Sequence, residues 1–202
     1  MIKSSIYQLI TLAFLFGSVN LSVAQISAFP YSEFFEAVMG AWVNESGDDM
    51  DWTRDQNGTP SGGTGPASGT GGGATWHMFT EVSGANSPNK RAYLEAEFDF
   101  TGEFNPQLTF MYHMFGGSIG ELHVDVFDGV WYTSIWSMVG GQQAANGDAY
   151  REGNINLTSY ENRSGVKIRF SAISGTNWDG DIAIDDVSVC TINPGVAADK
   201  LI

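Results

Sequence analysis

The sequence predicts an all-β fold, a sandwich or barrel of antiparallel strands, from three observations. Apolar and polar residues alternate with a period of two over several long runs. Gly, Asn and Asp turn signals separate those runs at short intervals. No stretch sustains the 3.6-residue periodicity of an amphipathic helix. Many short strands at such spacing are the signature of a sandwich or barrel.

Taken from the N-terminus, the first element is a leader. Lys3 gives a short positive n-region, Ile6 to Phe16 is largely apolar, and Ser22-Val23-Ala24 offers the small residues that a signal peptidase reads, so residues 1–24 are predicted to be removed. The apolar run is about half of the ~20 residues a membrane-spanning helix needs. No later stretch is a better spanning candidate, and a retained lipid anchor would require a Cys at the cleavage point, whereas the only Cys is Cys190. Localisation is therefore expected to be secreted or cell-surface. Removing the first 24 of 202 residues leaves a length suited to one all-β domain, placed at 25–192, with 193–202 a tail or linker stub.

Charge excludes one class of partner. The chain carries a net charge of −14, and loss of Lys3 with the leader makes it −15. Nucleic-acid binding needs Lys and Arg against phosphate, so nucleic acid is not an expected partner. Acidity of this size suits solubility, cation binding or a basic partner.

Along the domain, Gly58 to Gly73 is a Gly, Ser, Thr and Pro stretch that cannot bury a face and reads as a long surface loop. It lacks the Lys-Ser/Thr pair at a helix start that a phosphate-binding loop requires. A strand is expected around Trp76 to Val82. Next, Ala92, Leu94, Ala96, Phe98 and Phe100 alternate with Arg91, Tyr93, Glu95, Glu97 and Asp99, a half-buried strand with its acids toward solvent. Leu122, Val124 and Val126 alternate with Glu121, His123 and Asp125, and Val166, Ile168, Phe170 and Ala172 with Lys167, Arg169 and Ser171. Further strands are expected at Leu108 to Phe115, Val130 to Met138 and Asp181 to Val189.

Four separated motifs resemble the MAM domain, the extracellular module named after meprin, A5 antigen and receptor phosphatase mu. FMYHMFGGSIGELHV (Phe110 to Val124) resembles its central strand pair and DIAIDDVSV (Asp181 to Val189) its closing strand. Asp51-Trp52, Thr59-Pro60-Ser61 and Thr64-Gly65-Pro66 follow the family in order, and FFEAVMGAW (Phe34 to Trp42) looks like the opening strand. The resemblance covers about residues 28–190. It implies a jelly-roll β-sandwich of two antiparallel sheets and a non-catalytic adhesion or recognition module. MAM domains generally stand beside other domains, and none is visible after Asn193, so a longer parent protein is left open.

The resemblance also frames the departures. MAM domains usually carry four cysteines; here Glu33, Gly40 and Gln107 stand at three of those positions, leaving Cys190 near the last. A disulfide contributes about 2–4 kcal/mol, so packing or a metal must offset its loss, unless the lineage never used the bridges. Cys190 is expected as a free thiol sheltered at a strand end, with an intermolecular bridge as the alternative. A cation, generally calcium, sits against the first and last strands in the family. Calcium takes 6–8 oxygen ligands. Glu36, Asp51 and Asp185 are the leading candidates, with Asp49 and Asp186 beside them, and the competing reading is that these acids are solvated turn residues. If Val187 and Val189 face the core, Asp185 is expected to point the same way and Asp186 outward. Asp179 and Asp181 around Gly180 lack the spacing of an EF-hand and read as a tight turn.

Glu95 and Glu97, at i and i+2, have the rough separation of a retaining glycosidase pair, but they lie on the expected solvent face with nothing to mark a buried acid. His77, His113 and His123 show no close metal-ligand spacing, and His113 is expected to be packed and hydrogen-bonded. Trp131, Tyr132, Trp136 and Trp178 could stack on sugars or fill the core; Trp131 and Tyr132 point to opposite faces of one strand, so one of them should be core. Asn44, Asn57, Asn156 and Asn162 begin N-x-[ST] sequons. The expected partner is an extracellular protein, another copy of the domain or, in the alternative reading of a carbohydrate-binding module from a polymer-degrading system, a glycan.

Overall fold

Alternation in the sequence becomes two facing sheets. The computed structural model describes residues 25–192, so the expected leader and tail lie outside the described residues. Eleven strands run β1 Tyr31–Glu33, β2 Val43–Asn44, β3 Trp52–Asp55, β4 His77–Thr80, β5 Arg91–Phe98, β6 Phe104–His113, β7 Glu121–Phe127, β8 Trp131–Val139, β9 Arg151–Asn156, β10 Val166–Ile173 and β11 Ile182–Ile192. One sheet has the order β3-β4-β11-β6-β9, with β1 also on β11; the other is β2-β5-β10-β7-β8. All named pairings are antiparallel. The architecture is the jelly-roll sandwich the sequence led us to expect. Its core takes Leu94, Phe98, Phe110, Val124, Ile168 and Phe170 from the inner faces, with Trp42 packed on Phe98 and Phe170.

Two elements differ from expectation. The segment expected to open the fold as a strand, Phe34 to Trp42, is bent chain that follows the short β1. Phe35 takes a left-handed backbone (φ +55°), its N–H donates to Glu33 Oε1 at 2.9 Å, and Phe35 and Trp42 drop into the core. The β9 strand has no signal in the sequence because an edge strand reading REGNIN buries little apolar surface.

The positions where MAM cysteines would stand are neighbours in space. Gln107 on β6 lies opposite Cys190 on β11, and a Cβ on Gly40 would lie 1.8 Å from Glu33 Oε2. The frame of both bridges survives without the sulfurs. Cys190 is free and exposed rather than sheltered, since it follows core residue Val189 and faces outward. Gln107→Cys is therefore expected to form a disulfide with Cys190 under oxidising conditions and to add about 2–4 kcal/mol of stability. Urea denaturation with and without reductant measures this; equal midpoints, with the thiols still titratable, would show that the pair cannot close.

A bulge in β11 decides where its acids go. Asp185 pairs with Met111 but Ser188 with Thr109, so the β11 side holds one extra residue, and Asp186 takes φ +48°. The side-chain alternation restarts there: Ile182, Ile184, Val187 and Val189 all face the core. Asp185 consequently points to the outer face of its sheet, not inward with Val187 and Val189. It is buried all the same, because the Gly58 to Gly73 loop lies over it.

Candidate functional site

The Gly-rich loop is a cover rather than a free surface loop. Gly65 N–H donates to Phe115 O at 2.7 Å, Ala67 N–H to Asn146 O at 2.8 Å and Tyr150 Oη to Ser68 O at 3.1 Å, tying it to the sheet and to the loop before β9. Thr70 donates N–H (2.9 Å) and Oγ1–H to Asp185 Oδ2, and the hydroxyl also lies 2.7 Å from Asp186 Oδ2. Glycine is required at position 69, where a Cβ would meet Trp76 O at 2.6 Å and Asp185 Oδ2 at 2.9 Å. Burial pushes the Asp185 carboxyl up to about 6 against the pull of those hydrogen bonds.

The five expected cation ligands do not form one group. Glu36 reaches the same stretch of loop, accepting Trp76 N–H at 3.1 Å. Asp49 lies on the edge of the other sheet, accepting Arg91 N–H at 3.0 Å and pairing with Lys90 at 3.3 Å. Asp51 stands at the opposite end of its sheet from Asp185, because Trp52 and Ile182 both pair with Thr80. One residue beyond those pairs, Asp51, Glu81 and Asp181 stand just outside the adjoining ends of β3, β4 and β11. Asp181 is fully buried rather than a solvated turn residue: Oδ1 accepts Val82 N–H at 3.0 Å, and Oδ2, like Glu81 Oε2, is buried with no hydrogen-bond partner. Burial foremost, with Glu81 adding, raises its carboxyl to about 6. As they stand, no three His, Cys, Asp or Glu side chains among the described residues converge tightly enough to hold a metal.

The outer face of the second sheet carries a different chemistry. Register places Glu95, Arg169 and Asp125 in one row across β5, β10 and β7. Arg169 donates from Nε (2.9 Å) and Nη2 (2.7 Å) to Asp125 Oδ2, lies 3.5 Å from Glu95 Oε1, and stacks between Tyr93 and Trp131 at 4.0 and 3.8 Å from the ring centres. Glu95 is 4% exposed, not on an open solvent face. Its carboxyl is raised by burial first and by Glu45, with Lys167 and Arg169 pulling it back. Alternation along β5 identified the face but not the long side chains that cover it.

The network continues through a second irregularity. Between the pairs Val124–Trp136 and Val126–Tyr132, β8 holds two more residues than β7, and Ser134 takes φ +55°. Its N–H donates to Asp125 Oδ1 at 2.7 Å, its Oγ lies 2.9 Å from His123 Nδ1, and His123 Nε2 lies 2.8 Å from Glu121 Oε2. In the resulting chain Glu121–His123–Ser134–Asp125–Arg169–Glu95, every member but Glu95 lines a cleft of about 360 Å3. Although a carboxylate, an imidazole and a hydroxyl stand in line, Ser134 has given its own N–H to Asp125 rather than leaving it for an oxyanion.

Other expected candidates find single places. Trp131 covers Arg169 on the outer face and Tyr132 is 49% exposed, so neither is core, whereas Trp136 packs edge-on to Phe110 and Tyr112. Trp178 is 47% exposed. His77 and His113 are wholly buried on the outer face of the first sheet; the His77 ring has no hydrogen-bond partner at either nitrogen, and the His113 ring, contrary to expectation, makes no well-formed hydrogen bond, with the Asp148 and Ala145 backbone beside it. Among the sequons, Asn44 spends its side chain on both backbone groups of Trp52, at 2.9 Å each, while Asn57, Asn156 and Asn162 are exposed.

Comparison with known proteins places this geometry. Residues 33–193 match the model of the MAM domain, meprin/A5/mu. The chain is 30% identical over 152 residues to neuropilin-1a of Danio rerio, covering 73% of this chain and 16% of that protein. It is 34% identical over 154 residues to MAM domain-containing glycosylphosphatidylinositol anchor protein 1 of Rattus norvegicus, covering 70% and 15%. The chain thus spans about a sixth of the length of these relatives. Among solved structures, the K3 cleaved adhesin domain of Lys-gingipain from Porphyromonas gingivalis aligns with a TM-score of 0.54 at 18% identity, covering 79% of this chain and 96% of that one. CBM27-1 of Caldicellulosiruptor saccharolyticus, solved with mannohexaose, aligns at 0.53 and 16% identity, covering 81% and 97%. At such identities these two likenesses speak to the fold alone. The motif order, the jelly-roll topology, the paired positions of the absent bridges and the match over most of its length agree: this chain belongs to the MAM domain family.

Proposed function

We propose that this MAM domain is an extracellular recognition module, secreted or at the cell surface, that binds another protein or a second copy of itself and carries out no chemistry. The observation that carries the reading is family membership, joined by the state of the acids a glycosidase would need. Glu95 and Asp125 are both tied to Arg169, the opposite of a free acid and base. A second reading, a carbohydrate-binding module of an extracellular polymer-degrading system, draws support from the polar cleft beside Arg169.

We further propose calcium as a structural ion. The fit is uneven among the expected ligands. Asp185 and Asp186 share the Thr70 donors, so Asp185 has its hydrogen bonds supplied. Asp181 and Glu81 have buried oxygens without partners, and Asp51 stands exposed just before β3. A hard cation bound there would meet the unpartnered oxygens of Asp181 and Glu81, and would supply the positive charge those buried carboxylates lack. An ion bound only to the native state raises stability by about 2.7 kcal/mol at a hundredfold excess over its Kd. The melting temperature of residues 25–192 is expected to rise in millimolar calcium over EDTA, with the rise lost in Asp181→Asn and kept in Asp185→Asn. No rise would remove calcium; loss only in Asp185→Asn would move it under the Gly-rich loop. Sedimentation in the same buffers tests self-association.

A further inference from the structure

We infer that the cleft on the outer face of the second sheet, between β5, β10, β7 and the bulge of β8, is a binding site for a short neutral saccharide. The inference deepens the second reading above and rests on it. Three features of the cleft point to a ligand of this class.

The first is preorganisation. A strand edge that only had to close the sheet would pair straight through, yet β8 puts extra residues into a bulge and holds Ser134, a non-glycine residue, in the left-handed region. Asp125 and His123 fix it there. The bulge makes one wall of the cleft, and the opposite side is Tyr93 and Arg91 on β5. Bulges that re-aim side chains in this way gather at binding sites.

The second is chemical balance. Two guanidiniums, Arg91 and Arg169, and two carboxylates, Glu121 and Asp125, line the cleft; Arg169 and Asp125 are bonded to each other, which leaves Arg91, Glu121 and the hydroxyls of Thr133, Ser134 and Ser171 to meet a ligand. A polyanion would meet both carboxylates in a chain of net charge −14, and a cation would meet both guanidiniums. An apolar ligand would strand these polar groups without water. What satisfies a surface of alternating planar acceptors, planar donors and hydroxyls is an uncharged molecule whose neighbouring groups both donate and accept, which describes the vicinal hydroxyls of a sugar. The volume, about 360 Å3, lies at the small end of ligand pockets and suits a short saccharide or chain end.

The third is the state of the aromatic rings. Arg169 lies over Tyr93 on one side and Trp131 on the other, so those ring faces already hold a cation. Recognition in this cleft is consequently by hydrogen bonds to the edges of the sugar, with stacking on these two faces unavailable. Trp178, 47% exposed and absent from the cleft lining, is the competing sugar platform.

The test is an array of neutral oligosaccharides of glucose, galactose, mannose and xylose alongside uronic-acid and sulfated ones, probed with residues 25–192, followed by calorimetry on the best binder. Expected are a neutral ligand and affinity losses of tenfold or more in Glu121→Ala and Arg91→Ala, whose exposed positions leave the fold intact by circular dichroism, with Trp178→Ala unchanged. Silence across the array overturns both the site and the glycan reading. A neutral ligand lost in Trp178→Ala and kept in the cleft variants overturns the site and leaves the reading standing. Binding confined to acidic glycans overturns the ligand class.

Discussion

Arg169→Ala is expected to destabilise the domain by about 3–5 kcal/mol. The reason is the pair of carboxylates that the guanidinium leaves behind. Asp125 and Glu95 have side-chain exposures of 4% and 5%, and Arg169 supplies the paired N–H donors to the first and the nearest charge but one to the second. Removing one partner of a buried ion pair costs far more than the pair contributes, since the remaining charge keeps its desolvation and loses its compensation. Lys167 at 3.4 Å from Glu95 remains, so Asp125 carries most of the loss. Arg169→Lys should recover only part of it. An ammonium cannot reproduce the rigid pair of N–H donors that converges on Asp125 Oδ2, and it gives up the planar stack between Tyr93 and Trp131. Urea denaturation of the three proteins at pH 7 measures the series. A lysine variant as stable as the parent would show that charge alone matters, and an alanine variant within 1 kcal/mol would mean that water reaches both acids.

That expectation could not have been formed from the sequence, although the row that produces it could nearly be read there. Alternation in Arg91 to Asp99, Glu121 to Val126 and Val166 to Ala172 gave the three central strands and their inner faces, because a half-buried strand writes its burial in period two. It could not give their registration. Whether Arg169 faces Asp125 or a residue two along depends on the lengths and geometry of the connections between the strands, which composition does not record. The sequence pattern puts Glu95 on a solvated face for the same reason. Its face was legible, but the cover of Arg169, Lys167 and Glu45 comes from other strands.

The same limit explains the acids near the last strand. DIAIDDVSV shows a strand, but the extra residue at Asp186 reverses which face Asp185 takes, and only φ +48° at a non-glycine residue reveals it. The Gly-rich segment has no apolar face to bury, which marks it as loop; that it lies down over Asp185, held by Ala67, Ser68 and Thr70, follows from hydrogen bonds of its backbone to distant backbone and side-chain groups that composition does not encode. Family resemblance supplied what periodicity could not. The paired neighbours Glu33 with Gly40 and Gln107 with Cys190 are intelligible only against a family that bridges those positions.

The buried histidines lead to the second large effect, a destabilisation confined to acid. His77 and His113 lie under the loops on the outer face of the first sheet, His113 against the ring of Tyr150 and His77 against Phe79. Desolvation pushes both rings down to about 4, more strongly than Asp55 beside His77 and Asp148 beside His113 pull them up. The unfolded chain takes up its two protons near pH 6.5, while the native state refuses them until about pH 4. The unfolded state is thereby favoured as pH falls through that window, by about 3 kcal/mol per ring at its full extent. Asp181 and Asp185 act in the opposite sense. Their carboxyls, raised to about 6 from 3.8, contribute stability that is complete below pH 3.8 and lost as pH rises through about 6. In the parent protein the two effects oppose each other, so its own pH profile hides both. His77→Leu and His113→Leu separate them: each removes nitrogens that make no well-formed hydrogen bond and is expected to be near neutral at pH 7. Urea denaturation in EDTA at pH 7, 5.5 and 4 should then show each variant gaining on the parent by about 3 kcal/mol as the pH falls. Parallel profiles would mean that both rings take up protons in the native state, and that water reaches them there.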